Sequence, residues 1–178
     1  MKNFKVKIND RRLLRAFLSN CGFKDEELDS VCITFDKMDK IGIDGVREEL
    51  TEKGFDEQVV NSYINLFTIL VDKKDISEAI KCLKNELADV LSEDVSTSMI
   101  EIADAVNSAK CAKFDLVFDP TLVRGMSYYT GTIFEIAIPE FGGSCGGGGR
   151  YDEMIGRFTG ANVPACGFSI GFERIILL

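Results

Sequence analysis

The first stretch of the chain alternates apolar and polar side chains. Residues 4–9 (FKVKIN) have a period of two, which predicts a half-buried strand. Apolar residues then recur at helical spacing, and the predicted helix is capped by Asn9 or Asp10 and stops at Gly22. Because no partner strand follows nearby, we expect this strand to enter the middle of a larger sheet.

The pattern from about residue 24 to residue 110 is helical throughout. Apolar side chains recur there at spacings of three and four residues, which predicts four or five short helices packed on each other. Helix caps are predicted at Asp75 or Ser77 and at Asp94 or Ser96. Most of the apolar stripes are interpreted as core and carry no functional prediction.

The pattern changes near Cys111. Residues 114–118 and 132–138 read as strands, and a third strand at 166–171 leads into a helix that starts near Phe172. Most of the chain's 16 glycines fall in this last third. The predicted fold class is α+β, with an all-helical module inserted between elements of one antiparallel sheet.

This pattern divides the chain into three parts. Residues 1–22 are predicted to supply a strand and a helix of the sheet domain, residues 23–112 a helical insertion, and residues 113–178 the C-terminal part of the same sheet domain. We expect the glycine-rich segment in the last part to be a loop.

Composition and charge exclude several classes of protein. The chain has 178 residues, of which 46% are apolar and 28% charged, as in an ordinary globular domain. A net charge of -8 argues against a general nucleic-acid binder, and no apolar run is long enough to span a membrane. Six scattered cysteines and no histidine leave almost no ligand set for zinc. We expect reduced, mostly buried thiols and a cytoplasmic protein.

Residues 119–131 (DPTLVRGMSYYTG) form the first segment with candidate chemistry. Arg124 beside Gly125 lets the backbone approach a ligand closely, and Tyr128 with Tyr129 offers ring faces and hydroxyls to a small planar polar group. The alternative is a glycine turn between strands, with both tyrosines in the core.

Two further segments are ambiguous on their own. The glycines of residues 142–152 could bring main-chain amides against an anion or a ribose, or could be flexible turns, and their spacing is not that of a P-loop. In residues 167–174, Gly171 and Arg174 could hold a nucleotide where a strand turns into a helix. An ordinary strand-to-helix turn would have the same pattern.

Taken together and in this order, the three segments resemble histidyl-tRNA synthetases. Residues 122–135 resemble the histidine-binding signature of that family, residues 148–152 its GGRYD loop, and residues 164–174 the third class II synthetase motif. Weaker similarity covers residues 7–12, 35–40 and 53–54, so the resemblance spans essentially the whole chain. It identifies the chain as an internal fragment that covers the insertion domain and the C-terminal part of the catalytic core.

The resemblance implies a role for each matching residue in the amino-acid pocket. Arg124 would be the catalytic residue, contacting the histidine carboxylate and the ATP α-phosphate. Tyr129 would hydrogen-bond the substrate imidazole, with Tyr128 packed beside it. Tyr151 would line the pocket over a floor that includes Gly148. The aspartate usual in the family is Ser127 here, which removes a charge near these groups.

The resemblance also implies the ATP site and the partners. Gly171 and Arg174 would bind ATP, with Arg174 on the γ-phosphate. Magnesium would arrive with the nucleotide, and no protein-bound metal is expected. The helical insertion would approach the acceptor stem of tRNA, and the full-length protein would be a homodimer without membrane contact.

The same resemblance leaves alternatives open. The first two class II motifs are missing, so the isolated chain is expected to be inactive. A non-enzymatic alternative is the synthetase-like regulatory subunit of ATP phosphoribosyltransferase, which keeps the histidine pocket for sensing. The long helical segment and Arg174 favour the synthetase. An interaction module with relic motifs is the third alternative.

Overall fold

The computed structural model describes residues 4–87, 90–123, 128–139 and 142–177. Within these residues the chain forms five strands and eight α-helices, together with one short 3-10 helix at Asp25–Glu27. In chain order the elements are β1 (Lys5–Asp10), α1 (Arg11–Cys21), α2 (Leu28–Phe35), α3 (Met38–Glu52), α4 (Glu57–Leu70), α5 (Ile76–Glu86), α6 (Glu93–Ala109), β2 (Asp115–Phe118), β3 (Thr132–Ile138), β4 (Gly143–Arg150), α7 (Asp152–Thr159), β5 (Cys166–Ile170) and α8 (Phe172–Ile176).

The five strands form one sheet in the order β2-β1-β3-β4-β5. The strand predicted to enter the middle of a sheet, β1, does so, because it pairs with β2 on one side and β3 on the other. The sheet is antiparallel except at the β1–β2 pair, which is parallel. The predicted α+β class is confirmed.

The helical region packs around an aromatic core. Tyr63 on α4 is 1% exposed, and its ring lies 4.2 Å from Phe35 on α2 and 4.6 Å from Phe17 on α1 between ring centroids. The Phe35–Tyr63 pair meets edge-to-face, with an interplanar angle of 81°, and such contact adds to the stabilisation from burial alone. This core is continuous with apolar residues of the sheet, including Ile8 and Ile133.

Local signals explain where several helices begin and end. Asp10 accepts a hydrogen bond from the Arg12 N–H and caps α1, which ends at Gly22 with φ of 103°. Asp75 caps α5 as predicted. The predicted cap of α6 was wrong, because Ser92 accepts from Val95 N–H and Asp94 lies inside the first turn.

A buried carboxylate connects the sheet to the helical region. Asp10, at the end of β1, is fully buried and accepts hydrogen bonds from Thr132 on β3 and from the Arg12 side chain. Arg12 also donates to Asp94 at the start of α6, 2.9 Å away. The two regions therefore meet through named polar contacts as well as through a shared core.

The glycine-rich segment is a strand and not the loop predicted from its composition. β4 runs from Gly143 to Arg150 and is hydrogen-bonded to β3 on one side and β5 on the other. The domain boundaries proposed from the sequence stay predictions. In the described part of the chain, no helix is long and apolar enough to cross a membrane.

Candidate functional site

The sheet has two faces of different chemistry, because successive side chains of a strand point to opposite sides. One row of register partners across four strands is Ile8, Phe134, Gly148 and Phe168, and we call this side the apolar face. The next row, on the other side, is Asn9, Ile133, Gly149 and Gly167. Lys7 and Glu135 share that second side, which we call the polar face.

Three tyrosines gather at the polar face and form the tyrosine cluster: Tyr128, Tyr129 and Tyr151. The ring centroids of Tyr128 and Tyr129 are 4.5 Å apart, and Tyr151 lies 5.8 Å from the first and 6.4 Å from the second. The Tyr128 hydroxyl donates a hydrogen bond to the Tyr129 hydroxyl at 3.3 Å. Tyr129 is 9% exposed. The arrangement presents aromatic faces and phenol groups that can both donate and accept hydrogen bonds.

Hydrogen bonds to neighbouring backbone hold the cluster in place. Tyr151 N–H donates to the Ala165 carbonyl at 2.8 Å, and Ala165 N–H donates to the Asp152 carboxylate at 3.0 Å. Burial raises the pKa of Asp152, but hydrogen bonds from Arg150 and Ala165 outweigh burial and the net pKa is lowered. Asp152 is therefore ionised at neutral pH. It ties the residues after β4 to those before β5.

The two central glycines of β4 face opposite ways. A Cβ at Gly149 would lie 2.8 Å from Cδ1 of Tyr129, so this glycine is directly beneath the tyrosine cluster. A Cβ at Gly148 would instead lie 2.0 Å from the Gly167 carbonyl oxygen and 2.7 Å from Phe168 Cβ. Gly148 thus faces away from the cluster, and its role in a histidine pocket stays a prediction.

The polar face also carries an ion pair that was not predicted from the sequence. Lys7 Nζ is 2.8 Å from Asp119 Oδ2, and the lysine is the register partner of Glu135. Burial raises the pKa of the Asp119 carboxyl, but hydrogen bonds from Lys7 and Thr121 outweigh burial and the net pKa is lowered. The alternation of residues 4–9 had already put Lys7 on the polar side of its strand, which was the available signal.

A small polar hollow joins this ion pair to the helical region. The hollow has a volume of about 50 Å³. Its lining includes Lys7 and Glu135 of the sheet, Asp36 just after α2 and Met38 at the start of α3. The stretch of residues 35–40 that resembles the synthetase connecting region therefore borders the polar face.

The predicted nucleotide residues lie at the other end of β5. Gly171 N–H donates to the Cys145 carbonyl at 2.8 Å, and the Arg174 guanidinium donates to the Ser144 carbonyl. A Cβ at Gly171 would lie 3.1 Å from Cδ of Arg174. Four residues separate Gly167 from Gly171, a distance of about 13 Å along a strand. Gly171 therefore lies at the opposite end of β5 from the glycine that contacts Tyr151, and the role of Gly171 and Arg174 in nucleotide binding stays a prediction.

The sequence-predicted site residues are thus partly brought together. Tyr128, Tyr129 and Tyr151 form one cluster, and Arg174 is on α8, the helix that follows β5. Arg124 lies outside the described residues, so its predicted convergence with these groups stays a prediction.

The apolar face carries a cleft of a different kind. It has a volume of about 590 Å³ and is lined mainly by apolar side chains of α6 and the sheet, among them Ile102, Val106, Val6 and Phe134. It differs from the candidate site in its apolar lining, although Gly149, Asp152 and Ala165 line it as well as supporting the tyrosine cluster. It marks the seam between the helical region and the sheet.

The cysteines do not form a site. All six are free, with Cys21, Cys32 and Cys145 buried and Cys111 and Cys166 exposed. Burial raises the pKa of Cys21 and of Cys32 to about 11, so both thiols are protonated at neutral pH and unreactive. In the part of the chain that the structure describes, no group of three acidic or cysteine side chains could hold a metal ion.

Comparison with known proteins agrees with this geometry. A family model described as histidyl-tRNA synthetase matches residues 1–175. The histidine–tRNA ligase of Leifsonia xyli subsp. xyli is 43% identical over 181 residues, which cover 99% of this chain and 41% of the relative. The crystal structure of histidyl-tRNA synthetase from Nostoc superposes with a TM-score of 0.82 at 29% identity, covering 98% of this chain and 41% of that one.

A third likeness concerns the fold alone. A Bacillus halodurans structure described as an ATP phosphoribosyltransferase regulatory subunit/histidyl-tRNA synthetase has a TM-score of 0.73 at 24% identity, covering 95% of this chain and 42% of that one. The family model and the 43% identical ligase define the class of protein, which is that of the aminoacyl-tRNA synthetases. The chain belongs to the histidyl-tRNA synthetase family. It spans about two fifths of the length of the relatives it matches.

Proposed function

We propose that this chain is part of an enzyme that activates histidine with ATP and joins it to its tRNA. The observation that supports the proposal most directly is the tyrosine cluster on the polar face. Its residues belong to the segments that resemble the histidine-binding signature and the GGRYD sequence of the family.

The tyrosine cluster suits an imidazole. A neutral imidazole has one N–H donor and one nitrogen acceptor, and a phenol can serve either. Tyr129 would hydrogen-bond the substrate ring, with Tyr128 holding the Tyr129 hydroxyl from behind at 3.3 Å. Tyr151 would form a side wall of the pocket. Arg124 would pair with the substrate carboxylate.

Arg174 would hold the far end of ATP, from the helix that follows β5. In this scheme the histidine carboxylate attacks the α-phosphate in line, and pyrophosphate leaves as histidyl-adenylate forms. A tRNA hydroxyl then attacks the acyl carbon, the acyl–phosphate bond breaks, and AMP leaves. Positive charge from Arg124 would stabilise the negative charge that develops on the α-phosphate. Magnesium would be carried by the nucleotide phosphates.

The same proposal extends to the partners of the full-length protein. The helical region would contact the tRNA acceptor stem, the full-length protein would be a homodimer, and the protein would work in the cytoplasm. Six free cysteines are consistent with a reducing compartment.

A segment exchange tests the proposal. The 178 residues would replace the matching segment of the Leifsonia xyli ligase, and pyrophosphate exchange would be measured with and without histidine. We expect histidine-dependent exchange, and we expect Arg124→Ala to lower it by about 100-fold or more. Arg15→Ala, at an exposed position of α1, is the matched control and should change little. Absence of exchange despite a folded protein would reject the proposal.

The isolated chain offers a second test. Adenylate chemistry needs both reactants held in one geometry, and the chain spans only 41% of its relative. We therefore expect calorimetry of the 178-residue chain with histidine to detect little or no binding. Micromolar affinity would contradict this expectation.

The alternative is histidine sensing without catalysis, which the fold likeness to the Bacillus halodurans protein favours. A sensor has no need to hold the ATP γ-phosphate. The segment-exchanged protein distinguishes the two functions. A protein that binds histidine, catalyses no pyrophosphate exchange and keeps its histidine affinity after Arg174→Ala would be a sensor.

A further inference from the structure

Gly167, near the start of the exposed strand β5, does not need to be glycine for its backbone conformation. The described glycines with positive φ are Gly22, Gly42, Gly54, Gly142 and Gly160, and Gly167 is not among them. An alanine could therefore adopt the same φ and ψ at this position. What restricts the side chain at this position is the set of atoms next to its Cα.

That space is occupied by the phenol of Tyr151. A Cβ at Gly167 would lie 2.5 Å from the Tyr151 hydroxyl oxygen, 3.4 Å from Cζ and 3.5 Å from Cε1. Ordinary contact begins at 3.4 Å, so only the hydroxyl oxygen is too close, and it would have to move by about 0.9 Å. The phenol thus lies directly on the bare backbone of Gly167.

We propose that Gly167 is a positioning residue whose missing side chain sets the height of the Tyr151 phenol above the sheet, and with it the depth of the pocket lined by the tyrosine cluster. The inference rests on the proposed function, since it takes the ligand of that pocket to be the amino acid histidine. Gly167 would act through Tyr151 and would not touch the substrate.

The surroundings of Tyr151 decide where a displaced phenol can go. Its backbone N–H is fixed to the Ala165 carbonyl, and its ring packs edge-on against Tyr128 at 5.8 Å and beside Tyr129 at 6.4 Å. A methyl group at Gly167 would therefore lift the phenol away from the sheet and disturb the other two rings. Arg174 lies on α8, beyond the far end of β5, so we expect it to be unaffected.

Gly149, the register partner of Gly167, gives a matched comparison. Its Cβ would meet the Thr132 carbonyl oxygen at 2.7 Å and Tyr129 Cδ1 at 2.8 Å, and the Tyr151 hydroxyl is not among the three nearest atoms. Both glycines lie under the tyrosine cluster, but only the clash at Gly167 depends on the Tyr151 hydroxyl.

A double-mutant cycle in the segment-exchanged enzyme tests the inference. We expect Gly167→Ala to raise KM for histidine about tenfold, because small misplacements of binding groups are costly, and to change KM for ATP by less than about twofold. In a Tyr151→Phe background the clashing oxygen is gone, so we expect Gly167→Ala to add less than about twofold. Gly149→Ala should lower the activity of the enzyme by the same factor whether residue 151 is tyrosine or phenylalanine.

Two results would overturn the inference. One is an equal effect of Gly167→Ala with and without the Tyr151 hydroxyl, and the other is a parallel rise in KM for ATP, since either would mean a general structural defect.

A spectroscopic measurement separates this inference from the proposed function. The chain has four tyrosines and no tryptophan, and three of the four belong to the tyrosine cluster, so near-ultraviolet circular dichroism of the full 178-residue chain reports on the cluster. We expect Gly167→Ala to change this signal, and to change it far less with Tyr151→Phe already present. If the segment-exchanged enzyme has no histidine-dependent exchange, the proposed function fails while this signal still tests the positioning. An unchanged signal would reject the positioning itself.

Discussion

The helical region and the glycine-rich half of the sheet are built in opposite ways. In the first, large side chains fill a core around Tyr63, and Phe35 has no exposed surface. In the second, β4 contributes four consecutive glycines, and Phe168 on β5 is 64% exposed. The helical region is specified by the side chains it buries, whereas the β4 side of the sheet is specified by side chains that are absent.

This contrast shows where the candidate site can be located. A bare strand lets neighbouring backbone and aromatic rings approach within contact distance, as at Gly149 below Tyr129. A packed helical core has no such room. The tyrosine cluster therefore lies over the part of the sheet with the least side-chain volume.

The largest effect is expected where a side chain is added to that bare strand. Gly148→Ala would put a methyl group 2.0 Å from the Gly167 backbone oxygen, so β4 and β5 would have to separate. We expect a loss of more than about 5 kcal/mol in the free energy of unfolding, measured by urea titration followed by circular dichroism. Gly171→Ala, which meets mainly the flexible Arg174 side chain, should cost under about 1 kcal/mol. Equal losses in the free energy of unfolding for these two variants would contradict the idea that β4 is specified by its missing side chains.

In the helical region the equivalent defect is removal of a side chain. Phe35→Ala would leave a cavity beside Tyr63 and Phe67, and we expect a loss of about 3–5 kcal/mol in the free energy of unfolding. Ile33→Ala on the same helix, where the side chain is 53% exposed, should cost less than about 1 kcal/mol. A small effect of Phe35→Ala would mean that this core tolerates voids.

The polar face should contribute to the free energy of unfolding in a pH-dependent way, whereas the helical core should not. Lys7→Met removes the partner of Asp119, and we expect a loss of about 1–3 kcal/mol at neutral pH. Because the pKa of Asp119 is lowered in the folded state, this contribution is present above the ordinary carboxyl pKa and is lost as pH falls through the folded value. Urea unfolding across a pH series should therefore show the difference closing in acid. Lys5→Met, exposed on the same strand, is the control, and a pH-independent loss would contradict the prediction.

The smallest effect concerns the surface of the helical region. Hydrogen bonds from Lys37 and Lys53 lower the pKa of Glu49 to about 2. A nuclear magnetic resonance titration should place the Glu49 transition near that value, and Lys37→Met with Lys53→Met should raise it. The stabilisation is present above the unfolded carboxyl pKa and is lost as pH falls toward about 2. Added salt should weaken it, and a transition in the ordinary carboxyl range would disprove the pairing.

Much of the fold could be predicted from local pattern because local chemistry controls it. The strand at β1, the Asp10 cap and the Gly22 stop all follow from residues within a few positions of each other. The cap of α6 could not be chosen from the sequence, since Ser92, Asp94 and Ser96 lie within five residues and each side chain can accept a backbone hydrogen bond; in the structure Ser92 is the cap.

The glycine-rich segment was misassigned for a physical reason. Local rules treat glycine runs as turns, because glycine has the most conformational freedom to lose. β4 is a strand because β3 and β5 satisfy its hydrogen bonds on both sides and approach too closely for side chains. The sequence of residues 143–150 does not indicate that β3 and β5 lie on either side of this segment.

The sequence by itself determined the period of each element, most of the helix ends and the family resemblance, because spacing, caps and motifs are properties of short segments. Only the tertiary structure decided that Gly149 and Gly167 lie side by side beneath Tyr129 and Tyr151, while Gly148 faces the other way. Register between distant strands assigns each residue to a face, and a shift of one position would exchange those faces.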